Sequence, residues 1–150
     1  MIIEILFFLL NQNESNRAEI QELLQTNNTA KLSKMFNERL EFGTAGLRGI
    51  MHAGPSCMND LTIIQTSQGM AKYLLECFGK EATVVIGYDS RHNSCKFARL
   101  VARAFVSTGI SVHLFSDLVP TPYVPMAVCY LKASAGIMVT ASHNPKEDSK

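Results

Sequence analysis

The chain has 150 residues, 14 basic and 13 acidic for a net charge of +1, and 47% of it is apolar. At this length that is enough apolar material to bury a core, which excludes intrinsic disorder and a disulfide-stapled miniprotein. Basic and acidic residues are interspersed without a run of five like charges, so no polyanion groove is drawn and no nucleic-acid partner is expected.

Nine of the first ten residues, MIIEILFFLL, are apolar. No Lys or Arg precedes Arg17, Glu4 interrupts the run and no small-residue cleavage site follows, so it does not read as a secretory signal. It has about half the length needed to span a bilayer. No membrane partner is therefore expected, and a cytoplasmic protein is predicted. Asn16 with Glu19 makes a cap-like pair ahead of a short helical stripe, Ile20, Leu23 and Leu24. A second stripe, Leu32, Met35, Phe36 and Leu40, follows a break at residues 27–29. Together they predict a helical lead-in over residues 1–38.

Residues 39–150 read as one further domain. Gly43, Gly46 and Gly49 recur every three residues around Arg48, which favours a tight loop between short extended pieces. From Asn59 or Asp60, a natural N-cap, the positions Leu61, Ile64, Met70, Ala71, Leu74, Leu75 and Phe78 mark a helix ending at Gly79. Residues 83–87 (TVVIG) form a continuous apolar run typical of a strand covered on both faces. The loop 88–94 leads into a helix carrying Phe97, Leu100, Val101, Ala104 and Phe105, which runs out at Gly109. Residues 111–115 are the next strand, residues 122–132 a short helix, and residues 135–140 (AGIMVT) a third buried strand before a polar tail. This alternation predicts an α/β fold, a three-layer α/β/α sandwich around a mostly parallel (mixed) sheet. Cys57, Cys77, Cys95 and Cys129 are too widely spread for any CxxC pair and stand at no metal-ligand spacing from a histidine. They read as reduced thiols, mostly in the core.

Ligands of such sheets bind beyond the carboxyl ends of the strands. Two loops start there: residues 88–94, with Asp89, Ser90, Arg91 and His92, and residues 141–146, with Ser142, His143 and Lys146. Each brings a hydroxyl, a histidine and a cation. Arg48 on the glycine loop adds another cation beside exposed backbone N–H groups. Individually the bland readings hold: the glycines match no nucleotide-binding fingerprint, Asn144-Pro145 is a turn signal, Arg91 can simply pair with Asp89, and His52 and His113 have no motif. In combination they describe an anion site. An alcohol needs a base or cation nearby to act as a nucleophile, and a phosphoryl group in transfer needs concentrated positive charge. No GxSxG elbow supports hydrolase chemistry.

Residues 140–145, Thr-Ala-Ser-His-Asn-Pro, resemble the phosphoserine signature of the α-D-phosphohexomutases. Residues 42–49 (FGTAGLRG), 87–94 (GYDSRHNS) and 119–125 (VPTPYVP) follow that family's order and spacing. Their wording is most similar to the eukaryotic phosphoglucomutase-2 and phosphopentomutase branch, which includes a glucose 1,6-bisphosphate synthase. The resemblance implies a phosphosugar mutase of carbohydrate metabolism, an intramolecular phosphotransferase working through a sugar bisphosphate. It implies Ser142 as the phosphorylated residue and, through its phosphate, a Mg²⁺ ligand. It implies His143 as an assisting group, Arg48 as the cation on the transferring group or bound bisphosphate, and Arg91 as a substrate-side wall. Sugar phosphates are the implied partners, and glucose 1,6-bisphosphate or an equivalent the phosphoryl primer. Family members have four domains, so a first-domain fragment, weakly active or inactive alone, is the expectation. The family continues its serine loop with Asn-Gly-aromatic-Lys, for which this sequence has no counterpart, and MIIEILFFLL departs from the expected lead-in. The alternative is a non-catalytic module, derived from the same domain, that binds phosphosugar or a protein partner.

Overall fold

The computed structural model describes residues 13–43 and 46–141. The apolar first ten residues and the polar tail from Ser142 onward lie outside the described residues. The described chain forms two compact units, one ending at Thr62 and the other starting at Ile63.

In the first unit, α1 (Glu14–Gln25) is capped by Asn13, whose side chain accepts from the Ser15 and Asn16 N–H groups. The cap thus lies three residues before the predicted Asn16, and Glu19 is used elsewhere. Helix α2 (Thr29–Phe36) is capped in the same way by Asn28 and stops short of Leu40, whose N–H donates instead to the Pro55 carbonyl. The two helices close over Ile20, Leu23, Leu32, Met35 and Phe36, with Ala53 and Cys57 beneath. The glycine loop forms a two-stranded antiparallel ribbon, β1 (Phe42–Gly43) and β2 (Gly46–Leu47). Helix α3 (Asp60–Phe78) is preceded by Asn59, whose Oδ1 accepts from the Thr62 N–H and whose amide donates to the carbonyls of His52, Gly54 and Cys57. One buried amide therefore starts the helix and folds the loop before it.

In the second unit, β3 (Thr83–Tyr88), α4 (Ser94–Ser107), β4 (Ser111–Leu114), α5 (Tyr123–Leu131) and β5 (Ala135–Val139) alternate as predicted. The described sheet has the order β4-β3-β5, and both of its pairings are parallel. Tyr88, read from sequence as a loop residue, is the last residue of β3, buried, with its hydroxyl donating to the Ser116 carbonyl. Side chains alternate across β3. Val84, Ile86 and Tyr88 pack with Ala71 and Leu74 of α3 and with Ala98, Val101 and Phe105 of α4. On the opposite face a Cβ added to Gly87 would lie 2.5 Å from Val124 Cγ2 of α5. Helices thus cover both faces, giving three layers. Crossovers of one hand that run in opposite directions across the sheet, from β3 to β4 and from β4 back over β3 to β5, must lie on opposite faces, which is why α4 and α5 do.

The cysteines divide differently from the sequence reading. All four are free, but Cys57 is buried, Cys95 half-buried, and Cys77 and Cys129 are exposed on their helices. A helix has an outer face, and cysteines on it stay wet.

Gly87 on β3 and Gly136 on β5 are both flat spots under α5: a Cβ on Gly136 would meet Val128 at 2.7 Å and Val124 at 2.8 Å. Replacing Gly87 by Ala is expected to cost about 1–3 kcal/mol, because the helix must lift. Val124→Ala, destabilising alone, should recover part of that loss in the double variant. Urea unfolding of the four chains measures the coupling; strictly additive losses would contradict this packing.

Candidate active site

Parallel pairing decides what meets at the rim of the sheet. Register pairs Tyr88 with Val139, so the loops after β3 and β5 leave side by side. The turn after β4 leaves the same rim, with Phe115 N–H donating to the Ile86 carbonyl and Val119 N–H to the Tyr88 carbonyl. β3 is also the point where strand order reverses, the place where open α/β sheets leave a crevice.

The loop after β3 is organised by Asp89. Its Oδ1 accepts from the Ser94 hydroxyl at 2.7 Å and from the Arg91 N–H at 3.1 Å, and its Oδ2 lies 3.5 Å from Arg91 Nε. Burial raises the Asp89 pKa, but the hydrogen bonds from Ser94, Thr140 and Arg91, with the Arg91 charge, outweigh it and hold the carboxyl below its ordinary range. Arg91 does pair with Asp89, as the bland reading expected, but this is no loose surface pair: the two side chains are 21% and 22% exposed. Asn93 adopts a left-handed conformation (φ 64°) to turn the chain into α4, and His92 beside it is exposed. Sequence reasoning singled out Arg91 and missed its linkage to Ser94 through Asp89. An Asp at a strand end, followed at the second residue by the N–H it accepts, is an Asx-turn signal that was readable; the reach of the Ser94 hydroxyl back to the same carboxylate was not.

In the first unit Arg48 follows β2 and is exposed. It lines an open depression of about 530 Å³ with Glu38, Arg39, Leu40, Glu41 and Ser56. An anion arriving there meets two guanidinium groups and also two carboxylates. The chain just beyond Arg48 is held by Glu19: Oε2 accepts from the Ala53 N–H at 3.1 Å, while Oε1 lies 2.7 Å from His52 Nδ1 and 3.1 Å from Lys31 Nζ. Burial pushes the Glu19 pKa up, but the Ala53 N–H, the Lys31 hydrogen bond and the charges of His52 and Lys31 prevail and leave it lowered. His52 is thus structural, as read, and His113 lies exposed on β4. Ser142 and His143 lie outside the described residues. Among the described residues no group of three or more His, Cys, Asp or Glu is placed to hold a metal ion.

A family model described as phosphoglucomutase/phosphomannomutase, alpha/beta/alpha domain I, matches residues 39–150. The chain belongs to the phosphoglucomutase/phosphomannomutase family. It is 50% identical to the phosphopentomutase of Mus musculus over 147 residues, 93% of this chain and 24% of that protein. It is 45% identical to the phosphoribomutase of Saccharomyces cerevisiae and 46% identical to the glucose 1,6-bisphosphate synthase of Mus musculus, each over 147 residues and again over 24% of the relative. These cover 96% and 93% of this chain. Among solved structures it resembles a Thermus thermophilus protein provisionally described as a phosphomannomutase, with a TM-score of 0.66 and 35% identity over 72% of this chain and 24% of that one. The chain therefore spans about a quarter of the length of these family members, and the α/β/α architecture read from the alternating elements is the family's first domain.

Because the Glu19 pKa is lowered on folding, its contribution to stability is present above the ordinary glutamate range and is lost as pH falls through the folded value. Glu19→Gln is expected to lower stability by about 1 kcal/mol at neutral pH, below the usual range for a charge-assisted hydrogen bond because the site is partly open to solvent. That gap should close on acidification. Chemical denaturation of both chains between pH 7 and pH 3 checks it; a gap that widens toward acid pH would contradict the sign.

Proposed function

We propose that this chain supplies the phosphoserine-bearing first domain of a phosphosugar mutase of the phosphopentomutase type, with residues 1–38 as lead-in and residues 39–150 as the domain. The reading is carried by the pairing of Tyr88 with Val139, which sends the Arg91 loop and the segment leading to Ser142 out of one rim, together with the family match over residues 39–150. Phosphorylated Ser142 gives its phosphoryl group to a hydroxyl of a sugar phosphate. The sugar oxygen forms the new bond to phosphorus as the bond to Ser142 Oγ breaks, and the proton of the sugar hydroxyl passes to the protein or solvent. The sugar bisphosphate then turns over, and its other phosphoryl group returns to Ser142. His143 assists at the reacting group, Arg48 neutralises charge on the transferring phosphoryl group, and Arg91 holds the wall of the site.

Pentose 1-phosphates and hexose 1-phosphates are the substrate class, with glucose 1,6-bisphosphate as primer, and the cytoplasm is the proposed location. No helix among the described residues is long and apolar enough to cross a membrane. Mg²⁺ belongs to this reading with the phosphate of Ser142 as one ligand. The described residues offer no cluster to hold it, so no step in this chain is routed through the ion. A second reading, a non-catalytic interaction module, is favoured by one observation: Tyr123, Met126, Tyr130 and Leu131 leave an apolar outer face on α5, with Tyr130 87% exposed.

Incubating the chain with glucose 1,6-bisphosphate and Mg²⁺ should transfer one phosphate to Ser142, seen by intact mass and site mapping. Ser142→Ala abolishes the transfer and Arg48→Ala slows it about a hundredfold. Coupled assays on ribose 1-phosphate and glucose 1-phosphate should show little or no turnover by these 150 residues alone. Phosphate at another residue, or none, would overturn the mutase reading and leave the module.

A further inference from the structure

We propose that the hollow beside Arg48 is a binding site for a phosphorylated sugar, with Arg39 as a second phosphate contact and Glu38 and Glu41 as acceptors for the sugar hydroxyls. The proposal rests on the phosphosugar reading above for its class of ligand, and on no step at Ser142.

The hollow lies wholly within the first unit. Phe42 pairs with Leu47 in the ribbon, so the next position outward sets Glu41 opposite Arg48. Glu38, Arg39 and Leu40 enter just past the end of α2, and Ser56 from the loop after the ribbon. Backbone hydrogen bonds fix these segments to their surroundings. Leu40 N–H donates to the Pro55 carbonyl at 2.9 Å, Ser56 N–H to the Met35 carbonyl at 3.2 Å and Met58 N–H to the Ile50 carbonyl at 2.8 Å. The Ser56 hydroxyl, 3.0 Å from the carbonyls of both Lys34 and Met35, is already engaged. Four charged side chains remain to receive a ligand.

Glu38, Arg39, Glu41 and Arg48 are all exposed, and among the described residues none of them forms an ion pair or a side-chain hydrogen bond. Two cations and two anions thus share one hollow of about 530 Å³ without neutralising each other by contact. An arginine only donates hydrogen bonds, and an ionised carboxylate only accepts them. A ligand that answers all four must therefore carry acceptor oxygens and donor groups together. Bare phosphate has oxygens for Arg39 and Arg48 but is repelled by Glu38 and Glu41. A sugar phosphate carries the same oxygens and adds hydroxyl donors for the carboxylates. The volume falls in the range of small-ligand sites, and half-buried Leu40 offers an apolar patch to the C–H face of a sugar ring.

The test is an NMR titration of the whole chain, following backbone amides, with ribose 1-phosphate, inorganic phosphate, phosphoethanolamine and ribose. Ribose 1-phosphate should shift the amides of residues 38–41, 48 and 56 and bind more tightly than phosphate or phosphoethanolamine, with ribose weakest. Arg39→Gln should weaken ribose 1-phosphate and phosphate alike, by about tenfold. Glu38→Ala with Glu41→Ala should tighten phosphate about fivefold, because repulsion is removed, and cut the preference for ribose 1-phosphate over phosphate about tenfold. Unmoved amides in α1 show that each variant keeps its fold. No shift at residues 38–41, or a preference that survives in the double variant, overturns the proposal. Phosphoethanolamine bound as tightly as ribose 1-phosphate makes the donor an ammonium and overturns it too. Intact mass after incubation with glucose 1,6-bisphosphate tests Ser142 separately. If ribose 1-phosphate fills the hollow while Ser142 takes no phosphate, the binding site stands and the phosphoserine mechanism falls. If Ser142 is phosphorylated while residues 38–41 stay unmoved, the mechanism stands and the binding site falls.

Discussion

The parallel pairing of β3 with β5 is the constraint on which the rest of the second unit depends. It is an edge-to-centre pairing made by segments about fifty residues apart, so it can form only after a crossover has been laid across the sheet. Once Tyr88 stands opposite Val139, the two following loops have no choice of rim. A slip of β5 by one residue would turn Gly136 to the wrong face and lift α5 off the sheet. The bare glycine surface and the valines of α5 therefore guard the register that places the loops.

Each unit then uses the same electrostatic device next to an arginine that the sequence singled out. Glu19 gathers a backbone N–H, a lysine and a histidine at the chain following Arg48, and Asp89 gathers a hydroxyl group, a backbone N–H and a guanidinium around Arg91. In both cases burial alone works against the ionised carboxyl, and several donors together more than compensate. A carboxylate in that balance is a directional organiser: its oxygens point where the donors are, and the loops that own the donors are pulled to it. Loops rich in glycine and short polar residues, which have little apolar surface to pack, acquire their shape in this way rather than from a core.

Membership of the phosphoglucomutase/phosphomannomutase family gives this geometry its chemical sense. Placing a cation-bearing loop at the reversal point of a parallel sheet suits the binding of an anion. The chain covers about a quarter of the length of these relatives.

Much of this was legible in the sequence. Periodicity alone located α3, β3, α4, β4, α5 and β5 within a residue or two, because long apolar stripes and β-branched runs fold the same way in most surroundings. The motif wording pointed to the family, and strand-end position marked the two loops, Arg91 and the segment before Ser142. What was not legible was long-range. The cap at Asn13 rather than Asn16, the outward turn of Cys77 and Cys129, and the burial of Tyr88 each depended on which face the completed fold covered. The order β4-β3-β5, and with it the bond from the Asp89 N–H to the Val139 carbonyl, was decided only in three dimensions. Hydrogen bonds between residues fifty apart leave no periodic trace in a chain, since nothing local distinguishes a strand-end N–H that will find a carbonyl on another strand from one that will face water.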